Sequence, residues 1–286
     1  MGQLSRLVFA MSAVIKRQPL IAFFVLAFAL TWAPTPVGVF MAAGPLVAAL
    51  VITAVVDGRR GLRELWSRVI RWRVGWQWYA AALLVPLALA LGTGGLNVAL
   101  GAPGSVIRDL SISEAVLLFA LRLVVPLFSP IGEEPGWRGF ALPRLLDGRS
   151  PLGATVILAP LVALWHVPLI FIESEDLPPI FLLTTVAVTF WYTWLFVHSG
   201  GSVLITIIAH AAEGLIGRKL IGDDGWSGSD ETHWVWLYTA AWCALAIVLL
   251  AFDWRFWRTR TPSTSGAVHG QPAVSSAPAS AAGART

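Results

Sequence analysis

Two adjacent carboxylates and an arginine close an apolar run in Ile131-Gly132-Glu133-Glu134-Pro135-Gly136-Trp137-Arg138-Gly139-Phe140. In a low-dielectric setting, neighbouring acids do not both ionise cheaply unless a cation offsets them. Arg138 can be that cation, because on a helix it is the i,i+4 neighbour of Glu134. Pro135 disfavours α geometry at Glu134 and removes a backbone donor, so a kink or helix restart is expected there. Such a break would aim the carboxylates in different directions, one towards Arg138 and the other towards a water.

Two histidines occupy other apolar segments: His166 in Ala163-Leu164-Trp165-His166-Val167-Pro168, and His210 in Ile207-Ile208-Ala209-His210-Ala211-Ala212-Glu213-Gly214. A single buried histidine is usually a hydrogen-bonded packing residue. Two of them, together with an acid pair, favour one shared polar site. Its chemistry would be water activation by a carboxylate, with imidazoles donating to the oxyanion of a tetrahedral intermediate. That is hydrolysis without a covalent nucleophile. No G-x-S-x-G elbow appears, so a serine triad is disfavoured. A zinc peptidase stays open, since two His and one Glu make a plausible ligand set, although the sequence has no H-E-x-x-H. His198, beside Ser199-Gly200-Gly201-Ser202, reads as interfacial, and His233 and His269 as loop and tail residues.

The elements that must position these groups are apolar throughout. Of the 286 residues, 57% are hydrophobic and 13% charged, against about 25% charged in an ordinary globular domain. The apolar residues come in long blocks, not in the stripes of a soluble helix or strand. A helix needs roughly 20 apolar residues to cross a bilayer. Eight blocks qualify: about 19–35, 37–56, 77–99, 112–131, 152–172, 179–198, 202–221 and 234–252. The expected fold is therefore an all-α polytopic membrane helix bundle. Glu133, Glu134 and Arg138 would end the fourth span, His166 would lie in the fifth and His210 and Glu213 in the seventh; Arg122 would lie within the fourth. Acids and histidines at such depth are costly, about 2.5–3.5 kcal/mol for a mid-bilayer acid, and so mark function.

Charge placement favours eight spans over seven. With both termini cytoplasmic, one side holds Arg6, Lys16 and Arg17; the six arginines of the 57–77 loop; Arg138, Arg144 and Arg149; and Arg255, Arg258, Arg260 and Arg285. The other side holds Arg108, Arg218 and Lys219, with the acidic run Glu173, Glu175 and Asp176. This is the positive-inside bias, expected of a multi-pass protein of the cell membrane. The net charge of +4 then reflects topology, and no nucleic-acid partner is implied.

Segment 58–75 places Leu62, Leu65, Trp66, Val69 and Ile70 at helical spacing among arginines, which suggests an amphipathic helix on the anionic leaflet. Trp72, Trp76, Trp78, Trp234, Trp236, Trp254 and Trp257 fall at span ends, where interfacial anchors belong. Cys243 is the one cysteine and lies in the last span, where packing is its ordinary role. The membrane domain is expected to cover 1–258. Residues 259–286, rich in Ser, Ala, Pro and Gly, are expected to be a disordered cytoplasmic tail.

The Glu-Glu-x-x-x-Arg pattern at Glu133, Glu134 and Arg138, then His166, then His210-Ala211, resembles the CPBP family, bacterial homologues of the eukaryotic CAAX prenyl endopeptidase. Phe23 to Pro34, Trp72-Arg73-Val74-Gly75-Trp76 and Arg138-Gly139-Phe140-Ala141-Leu142-Pro143 extend the likeness over about 20–255. The resemblance implies a glutamate-dependent intramembrane endopeptidase with no cofactor and no catalytic metal, whose partners are membrane lipids and a peptide or protein substrate. Glu133 would be the general base, with Glu134 and Arg138 supporting it, and His166 and His210 would bind the scissile carbonyl oxygen. Two positions depart from the family pattern. Val162 stands where its second motif has Phe, and Gly214 where its third has Asn or Asp. The missing amide removes one expected oxyanion donor, an interaction worth about 10²–10³ in rate where such a donor has been deleted. The Gly214 departure favours the alternatives of a non-catalytic membrane scaffold or a peptide-toxin immunity protein of the same fold. A proton-coupled transporter would also use buried acids and histidines, but no inverted repeat accompanies them.

Overall fold

A backbone with no water to bond to must satisfy its polar groups within each segment, and in a chain of apolar blocks the helix does this locally. The computed structural model describes residues 12–103, 111–127, 130–172, 177–216 and 226–260, and every regular element among them is helical. Helices α1 (Pro19–Trp32) and α2 (Gly44–Val56) form an antiparallel pair. Each carries a proline in its first turn, Pro19 and Pro45, where a missing N–H is no loss. Helix α3 (Gly58–Val69) follows directly, then α4 (Trp76–Ala99). Helix α5 (Ile112–Val124) opens on a capping box between Ser111 and Glu114.

A continuous helical rod, α6, then runs through Pro130–Glu134, a π-helical stretch Pro135–Ala141, and Leu142–Leu146. Helix α7 (Pro151–Trp165) passes into a 3₁₀ turn, Val167–Ile170. The bundle is completed by α8 (Phe181–His198), α9 (Val203–Leu215), α10 (Ser229–Phe252) and the short α11 (Trp254–Arg258). Two apolar clusters hold it together. One joins α1, α2, α3, α6 and α7 around Phe23, Trp137, Phe140 and Trp165; the other joins α4, α8, α9 and α10 around Trp191, Leu195 and Trp242.

Among the described residues, five helical segments are long and apolar enough to cross a membrane: Pro19–Val37, Trp76–Ala99, Pro151–Ile170, Phe181–His198 and Ser229–Phe252. Gly44–Val56 and Val203–Leu215 are shorter apolar helices. The protein is thus a multi-pass helical membrane protein. The continuous span expected over 112–131 is instead divided. Val125 is extended (φ −95°, ψ 100°), as a residue before a proline tends to be, and a new helix starts at Pro130. Glu133 and Glu134 therefore belong to the first turns of α6, not to the end of the fourth span.

Helix α3 is amphipathic, as expected, but docked on the bundle. Gly61, Leu65 and Val69 are buried, Trp66 and Ile70 are exposed, and the Arg68 Nη1 donates to the Gly139 carbonyl of α6 at 3.1 Å. The tryptophans divide in the same way. Trp72, Trp76, Trp236 and Trp254 are exposed, whereas Trp234 and Trp257 are core residues, with Trp257 Nε1 donating to the Leu249 carbonyl. Cys243 packs half-buried against the second cluster. The tail from Thr261 on, Arg6, Arg108, the acidic run 173–176, Arg218 and Lys219 lie outside the described residues.

Candidate active site

The acid pair occupies a widened helix. Glu134 keeps α geometry (φ −60°, ψ −37°) despite the proline after it, and the chain continues as π-helix to Ala141, with the Leu142 N–H bonding to the Trp137 carbonyl. The helix does not restart at Pro135. Widening to i→i+5 pairing accommodates the residue that cannot donate, and π turns of this kind recur at functional sites. Close packing supports the shape. At Gly136 a Cβ would stand 2.5 Å from the Pro45 Cβ and 2.6 Å from the Pro45 carbonyl oxygen, so only glycine lets α2 approach α6 here.

The carboxylates do part company, as the proline argument required, although through the pitch of the helix. Glu134 is fully buried, and its Oε1 accepts from Arg138 Nη1 at 2.9 Å and from His210 Nδ1 at 2.9 Å. Arg138, also buried, reaches Thr189 Oγ1 at 3.4 Å and lies 4.7 Å from the Tyr192 ring centroid. Glu133 turns the other way: its Oε2 stands 3.8 Å from His166 Nε2 and takes no hydrogen bond among the described residues.

His166 caps the end of α7, where Pro168 turns the chain into a 3₁₀ helix. Its Nδ1 lies 2.8 Å from the Val162 carbonyl, and a carbonyl only accepts, so Nδ1 carries the hydrogen. A neutral ring then presents Nε2 as an acceptor on the Glu133 side. The bond uses the backbone of Val162, which any side chain at that position would supply. Phe40, Trp165 and Phe181 wall the imidazole, with centroids 6.1, 4.7 and 5.6 Å away.

Glu133, Arg138, His166, His210, Glu213 and Tyr192 border one cavity of about 40 Å³ between the two apolar clusters. A single water needs roughly 10–15 Å³ on this measure, so the space suits a few waters and no bulky ligand. All five residues singled out by type and spacing thus meet at one place: Glu133, Arg138, His166 and His210 on the cavity wall and Glu134 immediately behind it. Thr184, Thr185 and Thr189 line the same cavity from α8. Thr185, Thr189 and Thr193 repeat every four residues, each bonding its hydroxyl to the carbonyl one turn earlier. That spacing was visible in the sequence; the role of Tyr192 had no comparable signal. Glu213 accepts from the Tyr238 hydroxyl at 3.1 Å. His198 stands apart, its Nε2 3.0 Å from Asp253 Oδ2. A far wider cavity, about 1010 Å³, lies on the α3 side of α6 and touches neither acid nor either histidine of the cluster.

Fold and centre together define a polytopic membrane helix bundle with a buried acid–imidazole cluster. Residues 115–216 match the family described as Type II CAAX prenyl endopeptidase Rce1-like, and that stretch contains Arg122, all five clustered residues and Gly214. The chain is also 28% identical over 102 residues to the CAAX prenyl protease 2 of Methanococcus maripaludis. That match covers 32% of this chain and 38% of the relative's length.

Proposed function

We propose that this protein is an intramembrane endopeptidase of the CAAX-protease type, using Glu133 to activate water. The observation that carries the reading is the convergence of the Glu133 carboxylate and both imidazoles on a water-sized cavity. A water held between Glu133 Oε2 and His166 Nε2 would lose a proton to Glu133 as its oxygen adds to the scissile carbonyl carbon. The C–N bond then breaks as that proton passes to the departing amine, leaving a carboxylic acid and an amine, between which the remaining acid proton equilibrates.

The oxyanion falls to His210. Its Nδ1–H is engaged by Glu134, so as an imidazolium it has Nε2–H to offer. The acids Glu133 and Glu134 are then balanced by Arg138 and His210. The resemblance assigns both imidazoles to the oxyanion. The Val162 bond to His166 supports a division in which His166 instead shares the water with Glu133.

The peptide is cut near the cytoplasmic leaflet of the cell membrane, with both termini cytoplasmic. The arginine asymmetry of the loops and the contact of basic α3 with α6 support this orientation. The test uses purified protein in lipid vesicles with a fluorogenic farnesylated peptide ending in a CAAX sequence, and with the same peptide lacking the farnesyl group. Cleavage by wild type and its loss in Glu133→Gln is the expected result. Equal cleavage by both proteins removes Glu133 from the mechanism. No cleavage of either peptide by wild type favours the non-catalytic scaffold or immunity reading.

A further inference from the structure

Gly214 leaves a bare Cα on which the Arg122 guanidinium rests. A Cβ built there would stand 2.0 Å from Arg122 Nη2 and 2.8 Å from Cζ. Any side chain at 214 would evict the guanidinium or be evicted by it. Arg122 comes from the last turn of α5, where the helix dipole favours a cation. Gly214 is one turn beyond His210 on α9, so the guanidinium and the imidazole share a face of that helix.

The electrostatics give this placement a purpose. Three carboxylates, Glu133, Glu134 and Glu213, gather at the cavity, and Arg138 is engaged by Glu134. Arg122 lies within electrostatic reach of Glu133. Charges carried into an apolar bundle must be offset by neighbours of opposite sign.

We infer that Arg122 is a positioning residue of this centre, its guanidinium seated on Gly214 so that a second positive charge accompanies the Glu133 and His210 pair. The inference rests on the endopeptidase reading above. It accounts for the glycine at 214: a side chain there would occupy the place the guanidinium takes.

The experiment is a double-mutant cycle in vesicles with the farnesylated peptide, reading kcat, KM and thermal stability. Arg122→Ala is expected to lower kcat about tenfold or more, below the 10²–10³ typical of a donor in direct contact, with KM within about twofold. Arg122→Lys, which keeps the charge, should recover much of that loss. Gly214→Ala should lower kcat like Arg122→Ala, and the double variant should be no worse than either single change, since both remove one contact. Wild-type kcat in Arg122→Ala, with Glu133→Gln inactive, overturns this inference alone. Wild-type kcat in both variants overturns the endopeptidase reading as well. A kcat loss that merely tracks lost folded protein, or additive effects in the double variant, also overturns the Arg122 assignment.

Discussion

Glu134 and His210, 76 residues apart in the chain, share a 2.9 Å hydrogen bond in the interior of the bundle. The same carboxylate oxygen accepts from Arg138. One buried atom therefore ties α6 to α9 and sets the tautomer of the histidine facing the cavity. The acid pair is divided in labour: Glu134 organises its surroundings through Oε1, while Glu133 borders the cavity with an Oε2 that takes no donor among the described residues.

Replacing the uncommitted acid should be chemically severe and structurally mild. Glu133→Gln is isosteric, and we expect cleavage to fall by at least about 10²-fold, the lower range for loss of a general base. The melting temperature should stay near wild type. Initial rates and thermal unfolding in the same detergent check both parts.

Replacing the organising pair should be severe for both chemistry and structure. Arg138→Met leaves the fully buried Glu134 with one partner fewer, and breaking a buried pair costs about 3–5 kcal/mol. We expect a large drop in melting temperature and no cleavage. Glu134→Gln combined with Arg138→Met should recover part of the stability without the activity, as thermal unfolding of the wild type and the two variants will show.

Gly136→Ala adds one methyl group at a helix contact. The new carbon would meet the Pro45 backbone at 2.6 Å, and overpacking of this sort costs about 1–3 kcal/mol. Separation of α2 from α6 should accompany the loss. A crosslink or spin-label distance between the two helices measures it.

Helix α3 should present one face to lipid and the other to protein. With Cys243 replaced by Ser, a spin label at Trp66→Cys should respond to a lipid-soluble relaxant. A label at Leu65→Cys should not, because Leu65 is buried against α6 and Trp66 is exposed. Equal responses at both positions would detach α3 from the bundle.

The sequence carried the cluster further than it carried the helices holding it. The i,i+4 step joining Glu134 to Arg138 is geometry that any helical turn reproduces, so that pairing was readable in advance. The split of the fourth span was not, because Leu123 to Ile131 stays largely apolar and hydropathy passes straight over Pro126 and Pro130. Trp234 and Trp257 were misread for a related reason: a tryptophan in a protein core and one at a lipid headgroup have the same neighbours in sequence. The π-helix was invisible locally. Pro135 signalled a break, and what kept the helix intact is tertiary, the seating of Gly136 against Pro45.

The wide turns from Pro135 to Ala141 also hold one residue of slack. An α-helix advances about 100° per residue, so deleting a single residue there would collapse the stretch to ordinary pitch. Because the i→i+5 turn already accommodates the surplus residue, the parts before and after it would keep nearly the same rotation about the helix axis. In an ordinary α turn the same deletion would swing Glu133 and Glu134 out of register with Leu142–Leu146 by about 100°, whereas here the acids would keep their facing although a residue had gone. Between Pro135 and Ala141, the helix can give up a residue without turning its acids away.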